Sequence, residues 1–353
     1  MWTRTCSSSS RASSFSGPSG SSGGGARGAG GDEPRPDTER TRRSGPVGAA
    51  LAAALVLALT AAGCGKARSS KHLVGFSQCN LGEPWRVAMN AEVAARAKDF
   101  PDLEVAFADA QQDNAKQVAD VENFLRQKVD LLMISPNEAK PLTPIVKKAF
   151  ESGIPVIVLD RAIEGDTYTT FIGADNKQIG KAAGDYIAKL LNGKGQVVEI
   201  KGLPGSPPAQ DRSSGFREAI AGYPDIKIVH DPVANWLREE AMAQMESALA
   251  AHDHIDLVYA HNDPMAIGAY LAAKAKGRDG EMKFVGIDGL PGLDGGRQAV
   301  ADGKLSATFV YPTGGREAVD VAERIFHGEK VPHTIVLPTL MITKENALAG
   351  SGK

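Results

Sequence analysis

Short polar clusters follow apolar runs at several points of this sequence, and their residue types suit the recognition of a small polar molecule. In the stretch VYAHNDPMAIGA, an apolar run ends in His261, Asn262 and Asp263 before an apolar helical pattern begins. In the stretch IPVIVLDR, a second run ends in Asp160 and Arg161. Such side chains are charged or bidentate hydrogen-bond partners, and a hydrogen bond to a charged group contributes about 1.5–3 kcal/mol.

The same residue types also begin helices, so capping is the alternative interpretation of each. Pro264 follows Asp263, and proline favours the first helical position, so we expect Asp263 to be the N-cap. Asn262 then precedes the cap and is free to face a ligand, while His261 is expected to pack or form a hydrogen bond nearby. Capping fits three further residues about as well as a binding role does: Asn114, Asn176 and Ser135.

Two tryptophans complete the chemistry that the polar residues suggest. Trp85 and Trp236 offer flat apolar faces for the C–H groups of a monosaccharide ring, whose hydroxyl groups require the polar side chains. A site made of buried hydrogen-bonding groups also rejects analogues that leave one group unpaired. Ordinary packing of either tryptophan, and a structural salt bridge between Asp160 and Arg161, are the alternatives. The combination predicts a sugar-recognition site.

The elements that position these residues alternate along the chain from residue 72 onward. Apolar residues three or four apart, such as Val118, Val121 and Leu125, predict helices between short apolar strands. This alternation predicts an α/β fold with parallel sheets covered on both faces, in two units of four to six strands. The predicted strands are His72–Ser77, Glu104–Asp109, Asp130–Ser135, Pro155–Asp160, Thr170–Ala174, Gln196–Lys201, Ile226–His230, Leu257–Ala260, Phe284–Ile287 and Leu305–Val310.

Ligands of open parallel sheets bind beyond the carboxyl ends of the strands, where loops and helix N-termini converge. The polar and aromatic residues at or near these ends are therefore the candidate ligand-binding set. It comprises Glu83, Trp85, Arg86, Asp109, Ser135, Asp160, Arg161, Arg212, Trp236, Asn262 and Asp288.

The first part of the chain has the composition of a tail and an export signal. Residues 1–45 are rich in Ser, Gly and Arg, which predicts disorder. Residues 46–63 are an apolar run ending in small residues, which is typical of a signal peptide and too short to span a bilayer comfortably. Cys64 follows, in the pattern of a bacterial lipoprotein signal, so we expect lipidation there. An uncleaved membrane anchor is the alternative.

Charge and cysteine content exclude several classes of protein. The formal net charge of the chain is −2, and the part after residue 63 has 33 basic and 38 acidic residues, which argues against a nucleic-acid partner. After removal of the signal peptide and modification of Cys64, Cys79 is the one remaining cysteine, so an intramolecular disulfide cannot form. No spacing suggests a zinc site, and no cofactor or metal is expected.

Seven segments resemble a known family: VGFSQ, EPWR, IPVIVLDR, GADNKQIGKAAGDYIAKLL, DRSSGF, VYAHNDPMAIGA and VGIDGLPG. In order and spacing they are similar to the periplasmic sugar-binding proteins related to ribose-binding protein, especially the galactofuranose-binding branch, over about residues 72–345. The resemblance implies a type I periplasmic-binding fold, in which three segments join two α/β lobes around a sugar. It assigns residues 72–174 with 312–337 to the N-terminal lobe and residues 175–311 with 338–350 to the C-terminal lobe.

The resemblance also implies roles for individual residues. Trp85 stacks on the sugar with Arg86 beside it. Asp109, Asp160 and Arg161 complete the first lobe's contribution. The second lobe contributes Arg212, Trp236, Asn262 and Asp288. Two departures argue against ribose itself, since Glu83 stands near a family asparagine and Tyr311 stands where ribose-binding protein has a glutamine ligand.

The expected function is therefore that of a lipid-anchored, extracytoplasmic, monomeric binding protein that closes on one monosaccharide and presents it to an ABC permease. A sugar sensor that docks on a chemoreceptor or kinase is the alternative within the same fold. A glycosidase is disfavoured because Arg86 and Arg161 would lower the pKa of a neighbouring carboxyl group, whereas a general acid needs a raised pKa. A repressor would need an N-terminal helix-turn-helix, which residues 1–63 do not offer.

Overall fold

The computed structural model describes residues 71–348. The predicted tail, the signal peptide and the lipidation site at Cys64 lie outside the described residues. No helix within residues 71–348 is both long and apolar enough to cross a lipid bilayer.

Twelve strands and nine α-helices alternate along the described residues. The strands are β1 His72–Gln78, β2 Leu103–Asp109, β3 Leu131–Ser135, β4 Val156–Leu159, β5 Thr170–Gly173, β6 Lys194–Ile200, β7 Asp225–His230, β8 Leu257–Ala260, β9 Lys283–Asp288, β10 Ala307–Val310, β11 Thr334–Val336 and β12 Met341–Ile342. The helices are α1 Pro84–Ala97, α2 Asn114–Gln127, α3 Ala139–Glu151, α4 Asn176–Leu190, α5 Pro207–Ile220, α6 Arg238–Ala251, α7 Asp263–Ala275, α8 Gly296–Ala301 and α9 Gly315–Phe326.

The strands form two six-stranded sheets, one in each of two lobes. The first sheet has the order β11-β5-β4-β3-β1-β2 and is parallel throughout. The second has the order β12-β10-β9-β8-β6-β7, in which β12 alone is antiparallel to its neighbour. The chain passes between the sheets three times, after β5, β10 and β11. The predicted fold class is confirmed, while the lobe boundaries expected from the resemblance stay a prediction.

All ten predicted strands are present, and the central ones have apolar runs that are buried on both faces of a sheet, whereas the edge strands β2 and β7 are partly exposed. Every residue of Leu131–Ser135 and of Val156–Leu159, for example, is buried. The predicted helix face at Val118, Val121 and Leu125 also packs on the core, with Val121 fully buried. Sequence reasoning missed β11 and β12, which are short, largely exposed edge strands without a continuous apolar run.

Helices α4 and α5 pack closely because glycines lie where they cross. A Cβ atom on Gly180 would lie 2.3 Å from the carbonyl oxygen of Arg212, and one on Gly215 would lie 2.1 Å from that of Lys177. Both distances are too short for any side chain. The glycines therefore fix how closely α5, which carries Arg212, approaches its neighbour.

Replacing Gly180 with alanine should lower the free energy of unfolding by about 1–3 kcal/mol, the usual effect of overpacking. Alanine favours the helical state over glycine, so without the clash the same change would stabilise the protein. The matched control is Gly222→Ala, because nothing lies within 4 Å of a Cβ at that position. Urea unfolding of both variants measures the difference. A Gly180→Ala protein as stable as the wild type would contradict the close packing.

Candidate functional site

One cavity between the lobes contains ten of the twelve nominated residues, namely nine of the eleven candidate ligand-binding residues and Tyr311. Its empty space, counted together with its open mouth, is about 270 Å³. The lining residues are Glu83, Trp85, Arg86, Asp160, Arg161, Pro208, Arg212, Trp236, Asn262, Asp288 and Tyr311.

Two acids and two arginines form a charge-balanced network on the first-lobe side of the cavity. Arg86 NH2 lies 2.6 Å from Asp160 Oδ2, and Arg161 Nε lies 3.8 Å from the same oxygen. Glu83 Oε1 lies 3.7 Å from Arg86 Nε and 3.5 Å from Arg161 NH2. All four residues are buried. Each charge therefore has an opposite charge nearby, which offsets the free energy of removing it from water.

Neutral polar groups outside the cavity lining orient the charged side chains of this network. Arg86 NH1 donates a hydrogen bond to Ser135 Oγ at 2.7 Å, and Arg161 NH1 donates to the carbonyl oxygen of Asn137 at 2.9 Å. Asn80 Nδ2 donates to Glu83 Oε1 at 2.7 Å, which orients the acid that pairs with both arginines. The first-lobe charges are thus preorganised before any ligand arrives.

Arg212 is fixed between two aromatic rings on the second-lobe side. Its Nε donates to Asn176 Oδ1 at 2.8 Å, and its NH1 donates to the carbonyl oxygen of His261. Its guanidinium carbon lies 4.7 Å from the ring centroid of Tyr311 and 5.5 Å from that of Trp236. Asn176 also donates to the Tyr311 hydroxyl at 3.2 Å. Stacking and two hydrogen bonds together leave the guanidinium one orientation.

Trp236 lies on a segment whose backbone is strained. Asn235 and Trp236 have φ values of 46° and 74°, a region that non-glycine residues occupy at about 1–3 kcal/mol each. Asn262 Nδ2 donates to the Trp236 carbonyl oxygen at 3.1 Å, and the indole packs on Gly202, where a Cβ would lie 2.3 Å from the ring. Arg161 of the first lobe lies 5.5 Å from the Trp236 ring centroid. The surrounding contacts therefore stabilise this conformation and aim the ring at the cleft.

The two lobes contact each other directly at the rim of the cleft. Gln112 Nε2, after β2, donates to the carbonyl oxygen of Asn235 at 3.1 Å. The amide of Ala139, at the start of α3, donates to the carbonyl oxygen of Gly205 at 3.1 Å. These bonds join residues of opposite lobes, so the two lobes are in direct contact beside the cavity.

Four donor atoms around the cavity have no hydrogen-bond partner among residues 71–348. They are Arg86 Nε, Arg161 Nε, Arg161 NH2 and Trp236 Nε1, all of them buried. A buried donor without a partner costs about 1–3 kcal/mol. Oxygen atoms of a ligand in the cavity would remove this penalty.

The carboxyl groups of the two lobes differ in protonation. Burial alone would raise the pKa of Asp160, but the Arg86 and Arg161 guanidiniums outweigh it and place the pKa below its usual value. Burial, and then the neighbouring Asp263 carboxyl, raise the pKa of Asp288 well above its usual value, and no arginine or lysine pairs with Asp288 within residues 71–348. The surroundings in the first lobe thus favour the ionised form of Asp160, which accepts hydrogen bonds, whereas those in the second lobe favour the protonated form of Asp288, which can also donate one.

The N-cap of α7 is Asn262, so the expectation that Asp263 caps this helix is wrong. Asn262 Oδ1 accepts the amide of Met265 at 3.0 Å, while Asn262 also lines the cavity. The Asp263 carboxyl points elsewhere and accepts the amide of Gly289 at 2.8 Å. The expected packing of His261 is confirmed, since its ring lies buried 3.2 Å from Glu199 Oε1.

Asn114 and Asn176 are not N-caps either, which corrects the capping interpretation of both. The caps of α2 and α4 are the preceding Asp113 and Asp175, which accept amides three residues on. The Asn176 side chain is therefore free to bind Arg212. Sequence reasoning missed this role, and the residue before each asparagine was the signal that could have revealed it.

Asp109 and Ser135 are the two nominated residues that do not line the cavity. Asp109 ends the edge strand β2, and its Oδ1 accepts the amide of Gln111 at 2.9 Å. Ser135 is fully buried behind Arg86 and neither caps a helix nor reaches the cavity. Pro208, at the start of α5, lines the cavity and was not nominated. Binding by the ten cavity residues stays a prediction.

Within residues 71–348, no group of three or more His, Cys, Asp or Glu side chains is arranged to hold a metal ion. The cavity is thus built of donors, acceptors and aromatic faces, which can bind and orient a polyhydroxylated ring.

Two α/β lobes around one polar and aromatic cavity define a two-lobed solute-binding protein. The family model described as the periplasmic binding protein domain matches residues 74–330, and the chain belongs to this family. The resemblance noted in the sequence is therefore confirmed, and the family places the protein outside the cytoplasm.

Relatives and solved structures agree with this assignment. The chain is 33% identical over 274 residues to the ribose import binding protein RbsB of Bacillus subtilis (strain 168), covering 77% of this chain and 87% of the relative. It is 35% identical over 293 residues to the galactofuranose-binding protein YtfQ of Escherichia coli (strain K12), covering 80% and 91%. Its fold matches the fructose-binding periplasmic domain of a hybrid two-component system with a TM-score of 0.76 and 47% identity, covering 78% and 91%.

These relatives are sugar-binding proteins and not enzymes, so the expectation of a non-enzymatic protein is confirmed. The pKa argument against a glycosidase applies to Asp160 but not to Asp288, whose pKa is raised. The assignment as a binding protein therefore rests on the relatives and not on the pKa values of the carboxyl groups. The chain is a sugar-binding periplasmic protein of the ABC-transporter type.

Proposed function

We propose that the protein captures one monosaccharide in the cavity between its lobes and delivers it to the permease of an ABC importer. The observation that carries this proposal is the set of buried donor atoms without a hydrogen-bond partner within residues 71–348, contributed by Arg86 and Arg161 of one lobe and Trp236 of the other. A sugar has hydroxyl oxygens around its edge and would satisfy both lobes at once. Its C–H faces fit the rings of Trp85 and Trp236.

Capture proceeds by hinge closure in this proposal. A ligand stabilises the closed arrangement only through contacts that the open one lacks. Asp160 and Arg161 follow β4 of the first sheet, whereas Arg212 on α5 and Asp288 on β9 belong to the second lobe. One sugar that touches both groups therefore favours closure, and the three crossings between the sheets form the hinge.

The ligand we propose is a galactofuranose-like hexose or a pentose. Glu83 and Tyr311 both line the cavity, and both differ from the ribose-binding pattern, so they bear on which sugar fits. Ribose, galactofuranose and fructose, after which three proteins similar to this chain are named, include a pentose and two hexoses.

We further propose that the mature protein is a monomer that begins at Cys64 and is anchored by a lipid on this residue, after the signal peptide of residues 46–63 is cleaved off with everything before it. The lipid anchor is supported by the apolar run and the small residues before the cysteine. A sensory role is the second candidate, because one structure similar to this chain is the periplasmic domain of a two-component system. Stimulation of a purified permease by the loaded protein would favour import.

A thermal-shift screen of monosaccharides tests the proposal. It should cover pentoses, inositols and hexoses in both ring forms. A ligand at one hundred times its dissociation constant stabilises a protein by about 2.7 kcal/mol, and each kcal/mol raises the Tm of a chain of this size by about 2–4 °C. We expect one sugar to raise the Tm by several degrees while its epimers do not. A screen without any shift would contradict sugar capture.

A further inference from the structure

The carboxyl group of Asp263 has no capping role, yet it is fully enclosed in the second lobe. Its Oδ2 accepts the Gly289 amide at 2.8 Å, and the residue is 3% exposed. Asp288, directly before Gly289, lines the cavity. The contact therefore joins the N-terminus of α7 to the turn that presents a cavity carboxyl group.

We propose that Asp263 is a positioning residue, whose carboxyl group anchors the Asp288–Gly289 turn and so keeps the Asp288 side chain at the cavity. The turn needs an anchor because its backbone is strained: Asp288 has a φ of 136° and Gly289 a φ of 61°. A non-glycine residue in such a conformation costs about 1–3 kcal/mol and persists where its surroundings restrain it. The Tyr311 amide, which donates to the Asp288 carbonyl oxygen at 3.0 Å, is the second restraint.

Two glycines leave the space that the Asp263 carboxyl group occupies. A Cβ atom on Gly286, in β9, would lie 2.3 Å from Asp263 Oδ1. A Cβ atom on Gly296, at the start of α8, would lie 1.8 Å from Asp263 Oδ2. A side chain at either position would therefore clash with the Asp263 carboxyl group where it now lies. The two glycines leave room for this carboxyl group beside the turn.

The charges around Asp263 link it to the titration of Asp288. Thr308 from β10 and Arg212 from α5 act on Asp263 to lower its pKa, and Asp263 in turn acts on Asp288 of β9. Arg297 of α8 donates to the Gly289 carbonyl oxygen at 2.9 Å. Burial raises the pKa of Asp263 to about 6, and the Asp263 carboxyl in turn raises the pKa of Asp288. Removing the acid at Asp263 should therefore lower the pKa of Asp288.

The variants Asp263→Asn and Asp263→Ala separate positioning from bulk stability. Asparagine retains an acceptor oxygen for the Gly289 amide, whereas alanine removes it. The first readout is the Gly289 amide in NMR of the sugar-free protein. We expect its chemical shift to titrate in two steps in the wild type, from Asp263 and from the adjacent Asp288, but in one step in Asp263→Asn, and its hydrogen exchange to accelerate at least tenfold in Asp263→Ala.

The second readout rests on the proposed function and uses D-fructose as the probe in calorimetry. We expect affinity within about threefold of wild type for Asp263→Asn, with its pH midpoint moved to lower pH, and at least a tenfold loss for Asp263→Ala. If D-fructose does not bind the wild type, it is not a ligand of this protein. The NMR titration and hydrogen exchange of the Gly289 amide then test the positioning role without a ligand. Unchanged Gly289 exchange in Asp263→Ala, or equal losses of affinity in both variants without a shifted pH profile, would overturn the proposal.

Discussion

Replacing Asp160 with alanine should weaken sugar binding by about tenfold to 150-fold and also lower the free energy of unfolding by about 3–5 kcal/mol. The carboxylate lies 2.6 Å from Arg86 and 3.8 Å from Arg161 in a buried network, so its removal leaves two buried cations with only Glu83 to pair with. The loss of affinity follows because the ligand loses a charged acceptor, which contributes about 1.5–3 kcal/mol to binding.

Asp160→Asn separates the charge from the shape of the side chain. It removes the charge but retains the volume, so we expect the affinity loss with a smaller loss of stability than for alanine. The matched control is Asp109→Asn, which makes the same chemical change at a residue outside the cavity and retains the acceptor for the Gln111 amide. Calorimetry should give Asp109→Asn the wild-type affinity within about twofold. Equal losses in both variants would remove Asp160 from the site.

The pH dependence of this network has a definite sign. The pKa of Asp160 is lowered in the folded protein, so the network contributes stability above the ordinary aspartate pKa and loses it as the pH falls through the folded value. The pKa of Asp263 is raised to about 6, so its contribution runs the other way, and the folded state gains stability as the pH falls from 6 toward the ordinary aspartate value. Mild acid between pH 6 and the ordinary aspartate pKa therefore adds stability through Asp263, whereas the Asp160 network loses stability only at still lower pH.

The fold was predictable from the sequence because buried strands of parallel sheets consist of continuous apolar runs. Runs such as Leu131–Ser135 carry that signal without help from distant residues. The strands β11 and β12 do not, since Thr334–Val336 and Met341–Ile342 are too short and exposed to form a pattern. They pair with β5 and β10, strands that lie far back in the chain, and a sequence window does not contain those partners.

The site was largely predictable for a topological reason. In an open parallel sheet, the loops after the central strands open a crevice where the strand order reverses. Polar residues that follow those strands therefore lie close together. The same rule fails for Asp109, because β2 is the outermost strand of its sheet and its end lies at the margin. It also cannot assign neighbouring polar residues to caps, as Asn262 and Asp263 show. A shift of one residue in the helix start exchanges their roles.

Arg212→Lys should weaken sugar binding by about tenfold to a hundredfold, although it conserves the charge. The guanidinium donates to Asn176 and to the carbonyl oxygen of His261 while lying against the rings of Tyr311 and Trp236. An ammonium group is not planar and cannot stack and donate in both directions at once. Arg212→Ala should cost more, because it also leaves the Asn176 oxygen without its donor.

Tryptophan fluorescence provides the measurement, since two of the chain's three tryptophans, Trp85 and Trp236, line the cavity and the third is Trp2. Sugar titrations should show a smaller fluorescence change with a higher midpoint for the Arg212 variants. The control is Arg217→Lys, one and a half turns along the same helix at a half-exposed position outside the cavity, which should bind as the wild type does. Arg212 belongs to the second lobe and Asp160 to the first. If the site closes around the sugar, the variants of both residues should bind it more weakly. Wild-type affinity in Arg212→Lys would mean that the second lobe contributes charge alone, and the planar stacking between the two rings would have no part in recognition.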